Sequence, residues 1–178
     1  NIDRRITQEA LEMVESGNCL SSGNATIVYN PQWHKGVVGI VASRLVEAFY
    51  KPTIVFTQSQ GGLVTGSARS VHGFDLYDAI ESCSDLLENF GGHLYAAGLT
   101  LKEENLPAFC ERIEKFISQA IIPEMQTPVV DVDAMLNFSQ IPPKFLRILK
   151  QFQPFGPGNN APVFRTDNVY DNGMGRKV

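Results

Sequence analysis

The fold depends on residues 66–98, GSARSVHGFDLYDAIESCSDLLENFGGHLYAAG. This stretch holds a Gly-Ser-Ala-Arg-Ser run, then an acidic amphipathic segment, then a Gly-Gly-His run followed by small residues. Side chains alternate between the two faces of a strand, so Ser67 and Arg69 should share a face if this run is extended. A hydroxyl and a guanidinium on one face suit the oxygens of a phosphate.

The Gly-Gly-His run at 91–93 has two interpretations. Adjacent glycines let backbone N–H groups approach an anion without a Cβ in the way, and His93 adds a side-chain donor beside them. Alternatively, Gly91 and Gly92 end a helix that finishes near Phe90, as glycine often does, and His93 is an ordinary partly buried histidine. Both interpretations stay open from the residues alone.

The composition is that of a globular protein. The 178 residues are 43% hydrophobic, which suits one domain, or one domain plus part of another. No apolar run approaches the roughly 20 residues that span a bilayer, so no membrane association is expected. Three widely spaced cysteines without Cys-x-x-Cys favour a reducing cytoplasm. Because the chain starts without methionine and ends on polar residues, we expect it to be a piece of a longer protein.

Charge is unevenly distributed along the chain. The formal net charge of −4 argues against a nonspecific nucleic-acid coat. Residues 31–70, however, carry four basic residues against Glu47, a net +3, and residues 136–178 carry six against two acids, a net +4. These positive blocks permit a polyanionic ligand despite the acidic total.

Hydrophobic periodicity predicts alternating helices and strands. Helices are predicted at 1–16, 37–50, 75–90, 105–121 (capped by Asn105) and 142–152. Strands are predicted at 25–29, 53–56, 63–70, 99–101 and 129–135, with strand starts at 163–164 and 169–170. The Gly61-Gly62 turn should join two of these strands into an antiparallel hairpin. Prolines at 123 and 128 mark a linker, and the segment after it has too few strands to close a barrel.

Two basic side chains near the helix at 37–50 each allow two interpretations. Arg44 lies on the solvent face, as lone charges usually do, or it reaches an anion from the helix. His34 belongs to the Trp-His-Lys-Gly turn at 33–36 that precedes the helix. Because helix N-termini attract anions, His34 either lines the same pocket as His93 or belongs to a purely structural turn. The three histidines form neither His-Glu-x-x-His nor Asp-His-His, so no metal site is expected in this chain.

Six stretches in series resemble the RecJ family of bacterial single-stranded-DNA exonucleases, within the DHH phosphoesterase superfamily. They are residues 1–5, 33–45, 51–55, 66–70, 91–98 and 154–159. The resemblance implies an α/β fold in which 1–19 end a connecting helix and 20–125 form the DHH-associated domain, a mixed β-sheet flanked by helices. Residues 126–178 would be a linker and the truncated, β-rich start of an oligonucleotide-binding (OB) domain.

The resemblance also implies a function. The full-length protein would be a 5′-to-3′ exonuclease of DNA repair and recombination that hydrolyses phosphodiester bonds in single-stranded DNA. Its manganese or magnesium ions would be bound by an amino-terminal DHH domain that this chain lacks and that would be its partner in cis. The chain alone is therefore expected to bind single-stranded DNA, to hold no cofactor and to be inactive.

The same resemblance implies the site residues. His93 would contact the scissile or an adjacent phosphate rather than a metal, together with Gly91 and Gly92. The residues that would hold the strand are Ser67, Arg69 and Ser70, with Arg44 and His34 as further candidates.

Two other functions stay open. Similar domains accompany alanyl-tRNA synthetases as non-catalytic RNA-binding or oligomerisation modules, although the loop at 154–159 leading into an OB start speaks against this. Oligonucleotide and nucleotide phosphoesterases of the same superfamily share the Gly-Gly-His run, but they usually end near it.

Overall fold

The computed structural model describes residues 2–156, 158–170 and 173. Asn1, Pro157 of the proline-rich loop and the polar tail at 175–178 lie outside the described residues. The chain divides into two compact units, 1–128 and 129–178. In the described ranges, no helix is long and apolar enough to cross a bilayer.

The first unit is a mixed sheet with helices on both faces. Its elements are α1 (Ile2–Glu15), β1 (Thr26–Tyr29), α2 (Val38–Phe49), β2 (Thr53–Gln58), β3 (Leu63–Arg69), α3 (Leu76–Glu81), β4 (Leu87–His93), β5 (Ala96–Lys102) and α4 (Leu106–Ala120). The strand order is β1-β2-β3-β5-β4. β1 and β2 are parallel, while β2–β3, β3–β5 and β4–β5 are antiparallel. The predicted α/β fold and the hairpin of β2 and β3 are confirmed.

Alternating side chains give the sheet two apolar faces. On one face, Phe56 and Ala68 pack with residues of α3 and α4 such as Phe109. On the other, Val28 and Val55 pack with residues of α1 and α2. Glycines 91 and 98, in β4 and β5, remain exposed. The second face is therefore covered over β1 and β2, and it opens towards β5 and β4.

The helix predicted at 75–90 is wrong in its second half. Asp75 does cap a helix, since its carboxylate accepts the N–H groups of Tyr77 and Asp78, but α3 ends at Glu81. A 3-10 turn follows, and the chain then continues as β4. Pairing of β4 with β5 overrides the helical spacing of the apolar residues. The interpretation in which Gly91 and Gly92 end a helix is therefore also wrong.

Asn105 is the N-cap residue of α4, as predicted. Asn105 makes no side-chain cap hydrogen bond. Its amide instead donates to the carbonyl oxygen of Leu86 at 3.1 Å. Asn105 thus ties the start of α4 to the turn that leads into β4.

The second unit has less regular structure than predicted. The strand expected at 129–135 is only β6 (Ala134–Met135), which pairs in parallel with β7 (Phe164–Arg165). The helix at 142–152 is α5 (Pro143–Leu149) followed by a 3-10 turn, and no strand forms at 169–170. The Asn159 amide donates to the carbonyl oxygens of Phe152 and Pro154, which holds the described part of the proline-rich loop.

Candidate nucleic-acid interface

β3 places a hydroxyl and a guanidinium side by side. Ser67 and Arg69 are half-buried on one face of β3, while Ala68 between them is buried on the other. Arg69 Nη1 donates to Ser67 Oγ at 3.0 Å and to the Ala68 carbonyl oxygen at 2.8 Å. The predicted shared face is confirmed, and these two bonds orient the planar guanidinium.

The first turn of α2 lies directly over this pair. A Cβ built on Gly39 would be 2.9 Å from Arg69 Nη2 and 3.0 Å from Ser67 Oγ, so only glycine fits without displacement. The N-cap of α2, Val37, makes no side-chain cap hydrogen bond. The N–H groups of a first helical turn carry partial positive charge, which here adds to the charge of Arg69.

Gly39 is a site residue that sequence reasoning missed. It lies inside a helical pattern, where glycine costs about 1 kcal/mol relative to alanine. That cost was the available signal, because a glycine inside a helix usually has a packing or functional reason. The reason here is the close approach of α2 to Arg69.

His93 lies on the same face as Arg69, two strands away. Arg69 pairs with Ala96 of β5, and Ala96 pairs with His93 of β4. Neighbouring strands are about 4.8 Å apart, which puts the Arg69 and His93 backbones roughly 10 Å apart. Within the described sheet, Ala96 is the residue that lies between Arg69 and His93 in this row.

The adjacent row of the sheet is flat. Ser67 pairs with Gly98, and Gly98 pairs with Gly91. A Cβ built on Gly91 or Gly98 would meet nothing within 4 Å, so the surface above them is open. We call the surface formed by these two rows the open floor. Its middle consists of Ala96, Gly98 and Gly91, and its donors are the side chains of Arg69, Ser67 and His93.

The hydrogen bond made by the His93 ring identifies which of its two nitrogens is the donor. The Tyr95 N–H donates to His93 Nδ1 at 3.4 Å. In the neutral imidazole the proton then sits on Nε2, which becomes the hydrogen-bond donor. The side chain is exposed, so this donor is available to a ligand.

Gly92 is needed for the pairing of β4 with β5 and does not line the open floor. It pairs with the buried Ala97, on the face opposite Gly91 and His93. A Cβ on Gly92 would collide with the carbonyl oxygen of Ala96. Glycine is therefore required here by the close approach of β4 and β5.

Ser70 is committed to local structure. Its hydroxyl donates to the carbonyl oxygen of Phe74 at 2.8 Å, and its N–H donates to the carbonyl oxygen of Tyr95 at 3.0 Å. Ser70 follows the last residue of β3 and fixes the turn beyond it. The structure thus brings together Ser67, Arg69, Gly91 and His93, with Ser70 at their border.

Arg44 is partly exposed, and it forms an ion pair that the sequence did not reveal. Its guanidinium donates to the Asp3 carboxylate at 3.1 Å and to the Thr7 hydroxyl at 3.3 Å, both on α1. Arg44 therefore ties α2 to α1. The corresponding carboxylate is missing at Arg69: within the described ranges no acidic side chain forms an ion pair with it.

His34 is exposed, and it lies next to the buried Trp33 in the turn before α2. Its Nδ1 accepts the Gly36 N–H at 3.1 Å, while the indole N–H of the buried Trp33 donates to Glu9 at 2.8 Å. No hydrogen bond or ring contact joins His34 to His93 in the part of the chain that the structure describes.

The groups with shifted pKa values lie outside this floor. Burial raises the pKa of Cys110 to about 12, with a smaller contribution from the nearby Cys83. Burial also raises the pKa of Cys83, and the pKa of Tyr29 is raised by burial and by its bond to Glu103. Both thiols are buried in the core that includes residues of α3 and α4, so neither is an activated nucleophile.

The described residues do not fit a metal ion. They contain no group of three or more His, Cys, Asp or Glu side chains that could hold one. The donors gathered on the open floor are a guanidinium, a hydroxyl and an imidazole, which suit an anion.

Comparison with known families identifies the domain. Residues 22–119, which include the whole open floor, match the family model of the DHHA1 domain. The chain belongs to the DHHA1 domain family. Residues 132–175 match the model of the RecJ OB domain. The DHHA1 domain therefore supplies the candidate site, and the OB match lies in the second unit.

The chain is similar to proteins named single-stranded-DNA-specific exonuclease RecJ. It is 38% identical over 166 residues to that of Bacillus subtilis, which is 93% of this chain and 21% of the relative. For the Escherichia coli protein the identity is 33% over 171 residues, 92% of this chain and 29% of the relative. The chain thus spans less than a third of these relatives. The resemblance to RecJ is confirmed.

Solved structures give the same result. RecJ from Thermus thermophilus in complex with Mn²⁺ superposes with a TM-score of 0.69 at 31% identity, over 92% of this chain and 25% of that one. The complex of the same protein with Mg²⁺ gives a TM-score of 0.69 at 30% identity, over 90% and 26% of the two chains. The DHHA1 domain and the segment after it therefore share the fold of part of RecJ.

Proposed function

We propose that this DHHA1 domain grips the phosphates of single-stranded DNA for a 5′-to-3′ exonuclease of DNA repair and recombination. The observation that carries the proposal is the Arg69 guanidinium, which is oriented by Ser67 at 3.0 Å and has no acidic partner among the described residues. The names of the RecJ relatives support the choice of single-stranded DNA.

Arg69 and Ser67 form one side of the grip. The guanidinium presents two parallel donors that match the oxygens of a phosphate, and the Ser67 hydroxyl lies next to them. The first turn of α2 adds partial positive charge from above. Arg69 Nη1 already donates to Ser67 Oγ and to the Ala68 carbonyl oxygen, so in this proposal Nη2 and Nε are the donors that bind the phosphate.

His93 forms the other side. His93 lies on the same face of the sheet, in β4, and Gly91 and Gly98 leave room for a sugar-phosphate backbone between the two sides. Donors fixed in this way stabilise charge that develops on a phosphate during hydrolysis. Gly92 and Ser70 shape or border this site, and Arg44 holds α2 in place through Asp3.

The catalytic ions belong to a different domain in this proposal. The T. thermophilus RecJ structures contain Mg²⁺ or Mn²⁺. We propose that a DHH domain in cis binds such ions opposite this DHHA1 domain, so that the chain alone is inactive. Residues 1–19 would end the connecting helix, 20–125 would form the DHHA1 domain and 126–178 would lead into the OB domain.

We also propose that the protein is cytoplasmic, because its three free cysteines fit a reducing compartment.

The test compares this chain with a longer protein that also carries a DHH domain. With Mn²⁺ and 5′-labelled single-stranded DNA, we expect the longer protein to degrade the strand and this chain only to bind it. In the longer protein, Arg69→Ala and His93→Ala should each slow degradation about 100- to 1,000-fold. The control is Arg112→Ala, which removes a positive charge outside the open floor, where Arg112 pairs with Asp85. Comparable degradation by this chain alone would refute the proposal.

A further inference from the structure

Two exposed aromatic rings lie at the corner of the sheet next to the grip. The rings of His72 and Tyr95 are nearly parallel, with an interplanar angle of 14° and centroids 6.4 Å apart. His72 is exposed, and Tyr95 keeps 39% of its surface exposed. Both residues therefore keep part of their surface open to a ligand.

Backbone hydrogen bonds hold together the two segments that carry the rings. The Ser70 N–H donates to the carbonyl oxygen of Tyr95 at 3.0 Å, and the Leu76 N–H donates to that of Leu94 at 3.1 Å. These bonds tie the β4–β5 turn to the loop that carries His72. Because these backbone segments are positioned before any ligand arrives, binding on the rings costs less conformational entropy.

The rings are close to the phosphate donors along two strands. His72 follows Arg69 by three residues, and Tyr95 directly precedes Ala96, the residue that separates Arg69 from His93 in the sheet. The Tyr95 N–H also donates to the ring of His93. A nucleotide whose phosphate contacts Arg69 or His93 therefore has its base within reach of these rings.

We infer that His72 and Tyr95 form a stacking platform for a nucleobase of the bound strand, an inference that rests on the proposed phosphate grip. Proteins that bind single strands without sequence preference combine a basic track with aromatic side chains, since every base has a π-face. An exposed ring pair beside an unpaired arginine has this combination. The platform would hold a base whatever its identity and would require a single-stranded ligand, because a paired base is already stacked.

The experiment uses oligothymidylate with a 5′-phosphate, intact or with one abasic site placed in turn at each of the first four nucleotides. Fluorescence anisotropy measures the affinity of the 178-residue chain and its variants. Wild type should bind one of the abasic strands more weakly than the intact strand. Tyr95→Ala should weaken binding of the intact strand about 5- to 100-fold and abolish its advantage over that abasic strand.

Matched variants separate stacking from other effects. Tyr95→Phe keeps the ring and should bind like wild type. Leu94→Ala removes an equally exposed apolar side chain, 39%, from the same turn and should also keep the preference for the intact strand. His72→Ala should reduce that preference in part. Thermal unfolding checks that each variant is folded.

Failure of the platform can be told apart from failure of the grip. If Arg69→Ala weakens binding while Tyr95→Ala keeps the preference for the intact strand, the platform is wrong and the grip stands. If Arg69→Ala and His93→Ala both bind like wild type, or wild type binds no single strand, the grip is wrong and the platform falls with it.

Discussion

Arg69 donates to the hydroxyl of Ser67 at 3.0 Å, and both side chains lie beneath the backbone of Gly39 in α2. The approach of Gly39 to Arg69 joins two parts of the sequence that are about thirty residues apart. The alternation of β3 puts the hydroxyl and guanidinium on one face, and a glycine in the helix leaves room for them. The pair is thus assembled by the fold before any ligand binds.

Removing the Ser67 hydroxyl should weaken DNA binding without changing its salt dependence. Ser67→Ala deletes one donor to the phosphate and one acceptor that orients Arg69, a loss of about 1 kcal/mol or roughly fivefold in affinity. The number of charges is unchanged, so the slope of log K against log salt should stay the same. Ser82→Ala, whose hydroxyl donates to the Ala79 backbone, is the control and should bind like wild type.

Adding a methyl group at Gly39 should damage the grip more than the fold. Gly39→Ala gains some helix propensity, although less than the roughly 1 kcal/mol of a helix interior because Gly39 is the second residue of α2, and this gain offsets part of the cost of displacing Arg69. We expect the free energy of unfolding to change little while DNA affinity falls towards that of Arg69→Ala. The control is Ile40→Ala, at an exposed neighbour on α2. An unchanged affinity in Gly39→Ala would show that Arg69 need not lie where α2 holds it.

The two glycines of the Gly-Gly-His run should respond in opposite ways. Gly92→Ala places a Cβ against the Ala96 carbonyl oxygen and should lower the free energy of unfolding by about 1–3 kcal/mol. Gly91→Ala meets nothing within 4 Å, so it should keep stability but block the floor and weaken DNA binding. Urea unfolding and anisotropy measure the two effects. Equal stability of both variants would contradict the register of β4 and β5.

Alkaline pH should destabilise the chain in part through Cys110. Burial raises the pKa of its thiol to about 12, so the folded state keeps a proton that the unfolded state releases near pH ~8.5. The thiol therefore stabilises the fold fully below about pH 8.5, and this contribution is lost as pH rises from there towards 12. Urea midpoints at several pH values measure it. Cys110→Ala should show a weaker fall in stability above about pH 8.5, and an identical fall would count against this origin.

Local patterns predicted the helices and strands well where burial and propensity agree. The spacing of Val38, Val41 and Leu45 predicts α2, and these side chains are buried. The segment at 75–90 misleads, because its apolar residues keep helical spacing after Glu81. There, pairing with β5 and burial of neighbouring side chains decide in favour of a turn and a strand.

Site geometry was predictable only within one element. Alternation along β3 places Ser67 beside Arg69, and that prediction holds. Contacts between distant segments are not encoded in periodicity, so the Asp3 partner of Arg44 and the approach of Gly39 to Arg69 were missed. The row that joins Arg69 to His93 depends likewise on the register of three strands.

The central claim is that Arg69 and His93, and not Arg44, hold the DNA phosphates. The most direct measurement is the affinity of this chain for 5′-phosphorylated single-stranded DNA at several salt concentrations. Arg69→Ala should lower affinity and reduce the magnitude of the salt slope by about 0.7, the value for one phosphate contact on a single strand, and His93→Ala should lower affinity. Arg44→Ala should leave the slope unchanged because Asp3 already pairs with that guanidinium. A slope that falls for Arg44→Ala, or that stays unchanged for Arg69→Ala, would contradict the account.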